Sequence, residues 1–140
     1  MRLAPVFTSG QMITVSVLME GMENEFFCSF VYASNFVEER KILWEDLRAH
    51  QASPLFFNKP WMIYGDFIET LKIEEHSLSQ NNPLIKAGMR NFQDTVRYCS
   101  LSNMKFHGPL FTWCNKRDND ELICNKLDRV LVNDQWILDY

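Results

Sequence analysis

The 140-residue sequence has few cysteines, no long apolar run and no excess of basic residues. Its four cysteines, at positions 28, 99, 114 and 124, form no C-x-x-C pair, which argues against a zinc site. Cys28 and Cys99 fall inside apolar patterns. We interpret the cysteines as reduced thiols with no disulfide partner, and we expect an intracellular protein, nuclear or cytoplasmic.

No apolar stretch approaches the roughly 20 residues that a membrane-spanning helix needs. The first ten residues contain one arginine and no apolar core of a secretory signal, so we expect no membrane partner. The net charge is -4, whereas a protein that holds nucleic acid by phosphate neutralisation alone is expected to be basic. Acidity does not exclude a nuclease, because a bound divalent cation supplies positive charge locally.

Apolar and aromatic residues are plentiful. The sequence is 46% hydrophobic, 14% aromatic and 23% charged, so residues 1–140 have the composition of one globular domain with a packed core.

The apolar pattern predicts both strands and helices. Residues 11–20 alternate and predict a half-buried strand, which forms a hairpin with a more buried strand over 25–34. Asn35 and Glu38 have the spacing of a capping box and predict a helix over 35–50. The buried face of that helix is predicted to carry Phe36, Leu43, Trp44 and Leu47.

The second half continues the alternation of strand and helix. A strand over 61–67 precedes a polar loop at 72–82, and a helix from Pro83 carries an apolar stripe from Ile85 to Cys99. Strands are predicted over 110–115 and 124–133, and another helix begins at Asp134. The order β-β-α-β-α-β-β predicts a layered α/β domain with at least one mixed sheet.

Four residues near strand ends are candidates for a site, although each has a structural explanation when taken alone. Tyr32 suits a core aromatic with a hydrated hydroxyl, and Asn35 suits a helix cap. Asp66 lies near the end of the predicted strand over 61–67, where it is equally well explained as a turn residue. Asp128, beside Lys126 and Arg129, suits a surface ion pair of small energetic value.

Taken together and in chain order, the segments "YASN", "GDF", "GPLFTW" and "KLDRVLV" resemble the endonuclease/exonuclease/phosphatase (DNase I-like) superfamily. The stretches "GMRNFQDTVRYCSL" and "HGPLFTWCNKRDNDELICNKLDRVLVNDQW" are similar to the apurinic-type endonuclease domain of plant non-LTR (LINE-type) retrotransposons. The likeness runs from about Ser9 to the last residue but covers only the middle of the domain found in that family.

The resemblance implies a partial four-layer α/β/β/α sandwich with mixed sheets and its active site at one edge. It implies Mg²⁺ as cofactor, DNA as partner and hydrolysis of a phosphodiester that nicks the DNA. By position in the motifs, Asp66, Asp128 and Tyr32 correspond to catalytic residues and Asn35 to a phosphate-binding residue. No residue of this chain corresponds to the metal ligand of the family.

The departures from the family pattern decide the expected activity. Ile68 stands where the Gly-Asp-Phe-Asn motif has a hydrogen-bond donor, and an isoleucine side chain donates nothing. The resemblance also places the metal-binding glutamate before the chain begins and the final Asp-His pair beyond Tyr140. We therefore expect a single incomplete domain over 1–140, truncated at both ends, that is catalytically inactive and binds Mg²⁺ weakly.

Two other functions stay open. The chain is either a non-catalytic module that kept the fold to bind nucleic acid or protein, or a part of an active superfamily phosphodiesterase whose other segments are encoded elsewhere. Reverse-transcriptase sequence just downstream favours the inactive retrotransposon fragment, and its absence leaves the binding module open. A full-length transcript with a nearby upstream Glu and a downstream Ser-Asp-His favours the active phosphodiesterase.

Overall fold

The computed structural model describes residues 1–69, 83–104, 113–114, 124–125 and 128–140. The strands are β1 (Arg2–Thr8), β2 (Met12–Leu18), β3 (Phe26–Tyr32), β4 (Trp61–Asp66), β5 (Leu101–Asn103), β6 (Trp113–Cys114), β7 (Cys124–Asn125) and β8 (Asp128–Asn133). The α-helices are α1 (Val37–Ala52), α2 (Pro83–Tyr98) and α3 (Asp134–Asp139), and a 3-10 turn spans Pro54–Phe56. The predicted loop at 72–82 and most of the predicted strand at 110–115 lie outside these residues.

Six of the described strands form one mixed sheet in the order β1-β2-β3-β4-β8-β5. The predicted hairpin is confirmed, because β2 pairs antiparallel with β3 from Met12↔Val31 to Val17↔Phe26. β3 and β4 are parallel, and β4 and β8 are antiparallel. Strands β6 and β7 form a separate two-stranded pair. The expected α/β class with a mixed sheet is therefore confirmed.

Helices α1 and α2 cover one face of the sheet. Leu43 and Leu47 of α1 are fully buried, and Trp44 stacks on Phe92 of α2 with ring centroids 4.9 Å apart. The sheet residues that meet them are also fully buried, namely Phe27, Trp61, Ile63 and Leu131. Cys28 and Cys99 are buried free thiols, as the apolar pattern predicted. Within the described ranges, no helix has the length and apolar character needed to cross a membrane.

The predicted capping box at the start of α1 is wrong. The chain stays extended through Phe36 (φ -92°, ψ 126°), so this residue is the N-cap and its side chain makes no capping hydrogen bond. The Oγ atom of Ser34 instead accepts from the backbone N–H of Phe36 at 3.1 Å, and the Ser34 hydroxyl donates to the carboxylate of Glu39. Phe36 is 68% exposed and does not join the buried face of α1.

The other face of the sheet carries large side chains that are half exposed. We call it the open face. The register aligns Ile13 with Phe30 and Phe30 with Tyr64, so these three residues form a cross-strand row. Their exposed fractions are 47%, 49% and 51%. Alternation along each strand therefore gives the sheet one buried face and one apolar face that is only partly covered.

Candidate functional site

Tyr32, Asp66 and Asp128 lie side by side at one end of the open face. Tyr32 and Asp66 are partners in the parallel pair β3–β4, and Asp66 and Asp128 are partners in the antiparallel pair β4–β8. Because directly paired residues point to the same side of a sheet, the three side chains share one face. We call this arrangement the Tyr32–Asp66–Asp128 row. The structure thus brings together three of the four predicted site residues.

Asn35, the fourth, lies beyond the end of β3 and is exposed. It lines a pocket of about 600 Å³ whose wall also contains Tyr32. Asn35 is therefore adjacent to the row through Tyr32 but does not belong to it.

Gly65 places Asp66 in the row. A Cβ atom at position 65 would lie 2.0 Å from the carbonyl oxygen of Val31, which is backbone and cannot rotate away. The φ angle of Gly65 is 151°, a value that other residues rarely adopt. Only glycine lets β4 approach β3 this closely just before the acid, which gives the Gly-Asp pair of the sequence a steric reason.

The carboxyl group of Asp66 is held by its own turn. Its Oδ1 atom accepts a hydrogen bond from the backbone N–H of Ile68 at 3.0 Å. Partial burial raises the pKa of Asp66, the hydrogen bond from Ile68 lowers it, and the neighbouring Asp128 raises it again. The net direction is upward. Burial, and to a smaller extent the adjacent carboxylate of Asp128, therefore disfavour ionisation of Asp66, and a bound cation relieves the repulsion between the two carboxylates.

Ile68 has no donor left for a ligand. Its side chain packs against the core cluster that contains Phe67 and Phe92, and its backbone N–H is engaged with Asp66. Its φ angle is 50°, in the left-handed region that asparagine tolerates better than isoleucine. The backbone at this position therefore has the conformation that suits the asparagine of the family motif.

Arg40 is a buried residue of the site that the sequence analysis missed. Its Nη1 donates to the carbonyl oxygens of Ser34 at 3.0 Å and Asn35 at 3.1 Å, and its Nη2 donates to Glu69 at 3.3 Å. The Arg40–Glu69 ion pair is nearly buried, with side-chain exposed fractions of 7% and 10%. Arg40 therefore ties the segment after β3 to the segment after β4. Its position three residues before Leu43, on the buried face of α1, was the signal that could have found it.

The described residues offer little to a metal ion. Among them, no group of three or more His, Cys, Asp or Glu side chains is arranged to hold a metal. The row supplies two carboxylates, which suits a cation such as Mg²⁺ that keeps several of its waters and takes few protein ligands. The residues present therefore fit a weakly bound, largely hydrated cation.

No protein-family model matches this sequence, and no curated protein sequence matches it. Solved structures do match its fold. The endonuclease domain of TRAS1, a telomere-specific non-LTR retrotransposon, matches with a TM-score of 0.70 and 13% identity over 98% of this chain. A beta toxin from Staphylococcus aureus matches with a TM-score of 0.55 and 12% identity over 89% of this chain. A functionally unknown conserved protein from Enterococcus faecalis V583 matches with a TM-score of 0.51 and 15% identity over 87%.

These matches establish the class of the fold. The chain has an α/β fold with a mixed sheet that is similar to the fold of a retrotransposon endonuclease domain and is consistent with the DNase I-like class. The chain spans 58% of the TRAS1 domain and 43% of the beta toxin.

Proposed function

We propose that this chain is part of a Mg²⁺-dependent endonuclease domain of the retrotransposon type, and that it contacts DNA without cleaving it. The observation that carries the proposal is the Tyr32–Asp66–Asp128 row, in which three residues of separate motifs are direct cross-strand neighbours. In such a site, the row faces the phosphate that is to be cleaved. The plant branch of the family stays part of this proposal and rests on the sequence motifs.

Each residue of the row has a distinct role in the proposal. Asp66 orients the water near the phosphorus atom, and its raised pKa would make its carboxylate a better base than a free one. Asp128, the cross-strand partner of Asp66, supplies the second carboxylate of the row. The hydroxyl of Tyr32 and the amide of Asn35 donate hydrogen bonds to phosphate oxygens.

The metal would be held by the carboxylates of Asp66 and Asp128, and when bound it neutralises charge on the phosphate. The two carboxylates of the row repel a phosphate when no cation is bound, and the net negative charge of the chain adds to this repulsion. DNA contact in this proposal therefore depends on Mg²⁺.

Ile68 is one of two reasons that we propose no turnover; the other is that the described residues give Mg²⁺ only two carboxylates. Loss of one preorganised donor to the developing charge typically lowers a rate by about a hundred- to a thousandfold. The backbone N–H of Ile68 cannot replace the lost donor, because it is bonded to Asp66. A second function, a nucleic-acid-binding module that retained the fold, is favoured by the same observation, since loss of this donor impairs the chemical step more than binding.

Conversion of supercoiled plasmid to the nicked form in Mg²⁺ tests the catalytic part. We expect no nicking by the wild-type chain, by Ile68→Asn or by the control Asp66→Ala. The described residues give Mg²⁺ only two carboxylates, so a restored donor has no tightly bound metal to act with. Nicking by Ile68→Asn above the level of Asp66→Ala would contradict the proposal and show a working site.

Fluorescence anisotropy with a labelled DNA duplex tests the binding part. In Mg²⁺, Asp66→Ala should weaken binding because it removes a ligand of the cation. In EDTA, the same substitution should strengthen binding because it removes a negative charge. A duplex that binds no better in Mg²⁺ than in EDTA would refute metal-mediated contact.

A further inference from the structure

The pocket beside the row has an aromatic and apolar rim. It has a volume of about 600 Å³ and lies where β3 leads into α1. Tyr32, Phe36 and Ile42 line it, and their exposed fractions are 76%, 68% and 55%. Three large exposed side chains around one concave surface are characteristic of binding sites rather than of an ordinary surface.

Phe36 is not explained by folding. It occupies the N-cap of α1 and makes no capping hydrogen bond, at a position where Ser, Thr, Asp or Asn stabilises a helix. Its ring is mostly exposed and packs in no buried cluster of the described residues. Within the described residues, Phe36 neither caps the helix nor fills the core, so its ring is available to a ligand.

The floor of the pocket is polar and rigid. The side chain of Gln11 bridges two segments, since its Nε2 donates to the carbonyl of Glu39 at 2.8 Å and its Oε1 accepts from the N–H of Ser34 at 2.8 Å. Arg40 fixes the same segment from beneath through the Ser34 and Asn35 carbonyls. The segment that carries the rim is therefore fixed by hydrogen bonds from both Gln11 and Arg40.

The chemistry favours a neutral, flat, partly polar ligand. A phosphate or another anion is disfavoured, because the described lining contains the carboxylate of Glu39 and no basic side chain. An aromatic ring system stacks on Tyr32 and Phe36, and the exposed amide of Asn35 offers both donors and an acceptor to a polar ring edge. A nucleobase has this combination of a π face and a hydrogen-bonding edge.

We propose that this pocket receives an unstacked nucleobase from a single-stranded segment, which stacks on Tyr32 and Phe36. Because Tyr32 belongs both to the pocket and to the row, a strand with one phosphate at the row has a neighbouring base within reach of Phe36. The inference rests on the proposed function and adds to it a preference for single-stranded or distorted DNA.

The test uses the full chain in Mg²⁺, a fluorescein-labelled oligothymidylate and a blunt duplex of equal length. The variant is Phe36→Ser, in which a serine provides the missing N-cap. The matched control is Phe57→Ser, because Phe57 is 75% exposed and precedes β4, at the end of the sheet opposite the row. An oligothymidylate with one 2-aminopurine reports stacking directly by fluorescence quenching.

We expect the wild type to bind the single strand more tightly than the duplex and to quench 2-aminopurine. Phe36→Ser should weaken single-strand binding by roughly 5- to 100-fold, the range for loss of one base stack, and should remove the quenching. It should leave duplex binding unchanged, and its melting temperature should be equal to or above that of the wild type. Phe57→Ser should match the wild type.

Three results would overturn the inference. Unchanged single-strand affinity in Phe36→Ser, with duplex binding intact, refutes the base pocket and leaves the proposed function standing. Unchanged nucleic-acid binding with loss of self-association in Phe36→Ser would assign the rim to a protein contact. Absence of binding to both DNA forms by the wild type would refute the base pocket and the proposed function together.

Discussion

At the scale of single residues, position 68 carries a conflict between side chain and backbone. The φ angle of 50° is tolerated by asparagine, whose short polar side chain bonds locally, and is unfavourable for a β-branched residue. Ile68 meets part of this cost by packing against the core cluster. The backbone at position 68 therefore has a conformation that suits asparagine better than the isoleucine that occupies it.

This conflict predicts a stability difference between two polar replacements. Ile68→Asn and Ile68→Thr both lose the apolar contact, but threonine keeps the β-branch that disfavours a positive φ. We expect Ile68→Asn to be more stable than Ile68→Thr by about 1 kcal/mol in the free energy of unfolding, measured by urea denaturation. Equal stabilities would show that the turn relaxes to another conformation.

The raised pKa of Asp66 predicts that removing its charge by substitution stabilises the fold in a pH-dependent way. Its folded pKa is raised, chiefly by burial, so the folded state prefers the protonated acid and ionisation opposes folding at neutral pH. This cost disappears as the pH falls through the raised pKa towards the ordinary value of about 4. Asp66→Asn should therefore be more stable than the wild type at neutral pH, and urea denaturation should show the difference closing on acidification. A pH-independent difference would mean that charge is not its cause.

At the scale of elements, His50 joins the end of α1 to the centre of the sheet. Its Nδ1 lies 2.7 Å from the carbonyl oxygen of Asp46, so this nitrogen must donate and Nε2 must accept in the neutral ring. Nε2 then accepts from the hydroxyl of Thr14 at 2.8 Å, which in turn accepts from Ser29 at 2.7 Å. The Ser29 oxygen accepts from the indole N–H of Trp61 at 2.9 Å. The whole buried chain has one direction of donation.

Protonation of His50 reverses that direction. Nε2 would become a donor, Thr14 would have to donate to Ser29, and the Ser29 hydroxyl would lose its acceptor beside the indole N–H of Trp61. Burial lowers the pKa of His50 more than the Asp46 carbonyl and carboxylate raise it. The other ring neighbours, Phe7, Phe56 and Trp61, carry no charge.

The predicted result is acid sensitivity of the helix–sheet contact. Because the folded pKa of His50 lies below its unfolded value, stability is complete above about pH 6.5 and falls as the pH drops below this value and through the lowered pKa. The free energy of unfolding of the wild type should decline over this interval, and His50→Gln should show a smaller decline whatever its absolute stability. Parallel pH profiles for the two proteins would contradict this account.

The elements that the sequence failed to predict are the edges of the sheet. β1 contains Pro5, which cannot donate to a strand ladder and is tolerated at an edge, and it lacks clean alternation. β5 has only three residues at the opposite edge. Central strands were predicted because burial on one face imposes alternation, whereas an edge strand is specified mainly by its pairing partner.

The same reasoning explains what was predicted of the site. Tyr32, Asp66 and Asp128 lie in or at the ends of central strands, so correct strand ends and the family order were enough to expect them together. Arg40 and the register that aligns the row depend on tertiary contacts between the segments after β3 and β4. Local pattern carries no information on such contacts.

At the scale of the whole molecule, the sheet has one buried face and one face that is only partly covered, the open face. Alternation buries one face of the sheet beneath α1 and α2 and leaves Ile13, Phe30 and Tyr64 about half exposed on the other. A contiguous apolar surface of more than a few hundred Å² is uncommon on a monomer and is usually an interface. The sheet therefore has the residue pattern of a layer that is packed on both sides.

This pattern predicts that the isolated chain binds a hydrophobic dye and associates at high concentration. Phe30 lies between Ile13 and Tyr64, so Phe30→Ser should reduce dye fluorescence and shift sedimentation towards the monomer. Phe57→Ser removes a ring that is more exposed, at 75%, but that lies in the segment before β4 and not in a strand of the sheet, and it should change neither measurement. If the wild type is monodisperse, binds no dye and still unfolds cooperatively, the open face is covered in solution. Phe30 belongs to the cross-strand row and Phe57 does not. If Phe57→Ser lowers dye binding as much as Phe30→Ser, the dye therefore binds scattered exposed rings and not the open face.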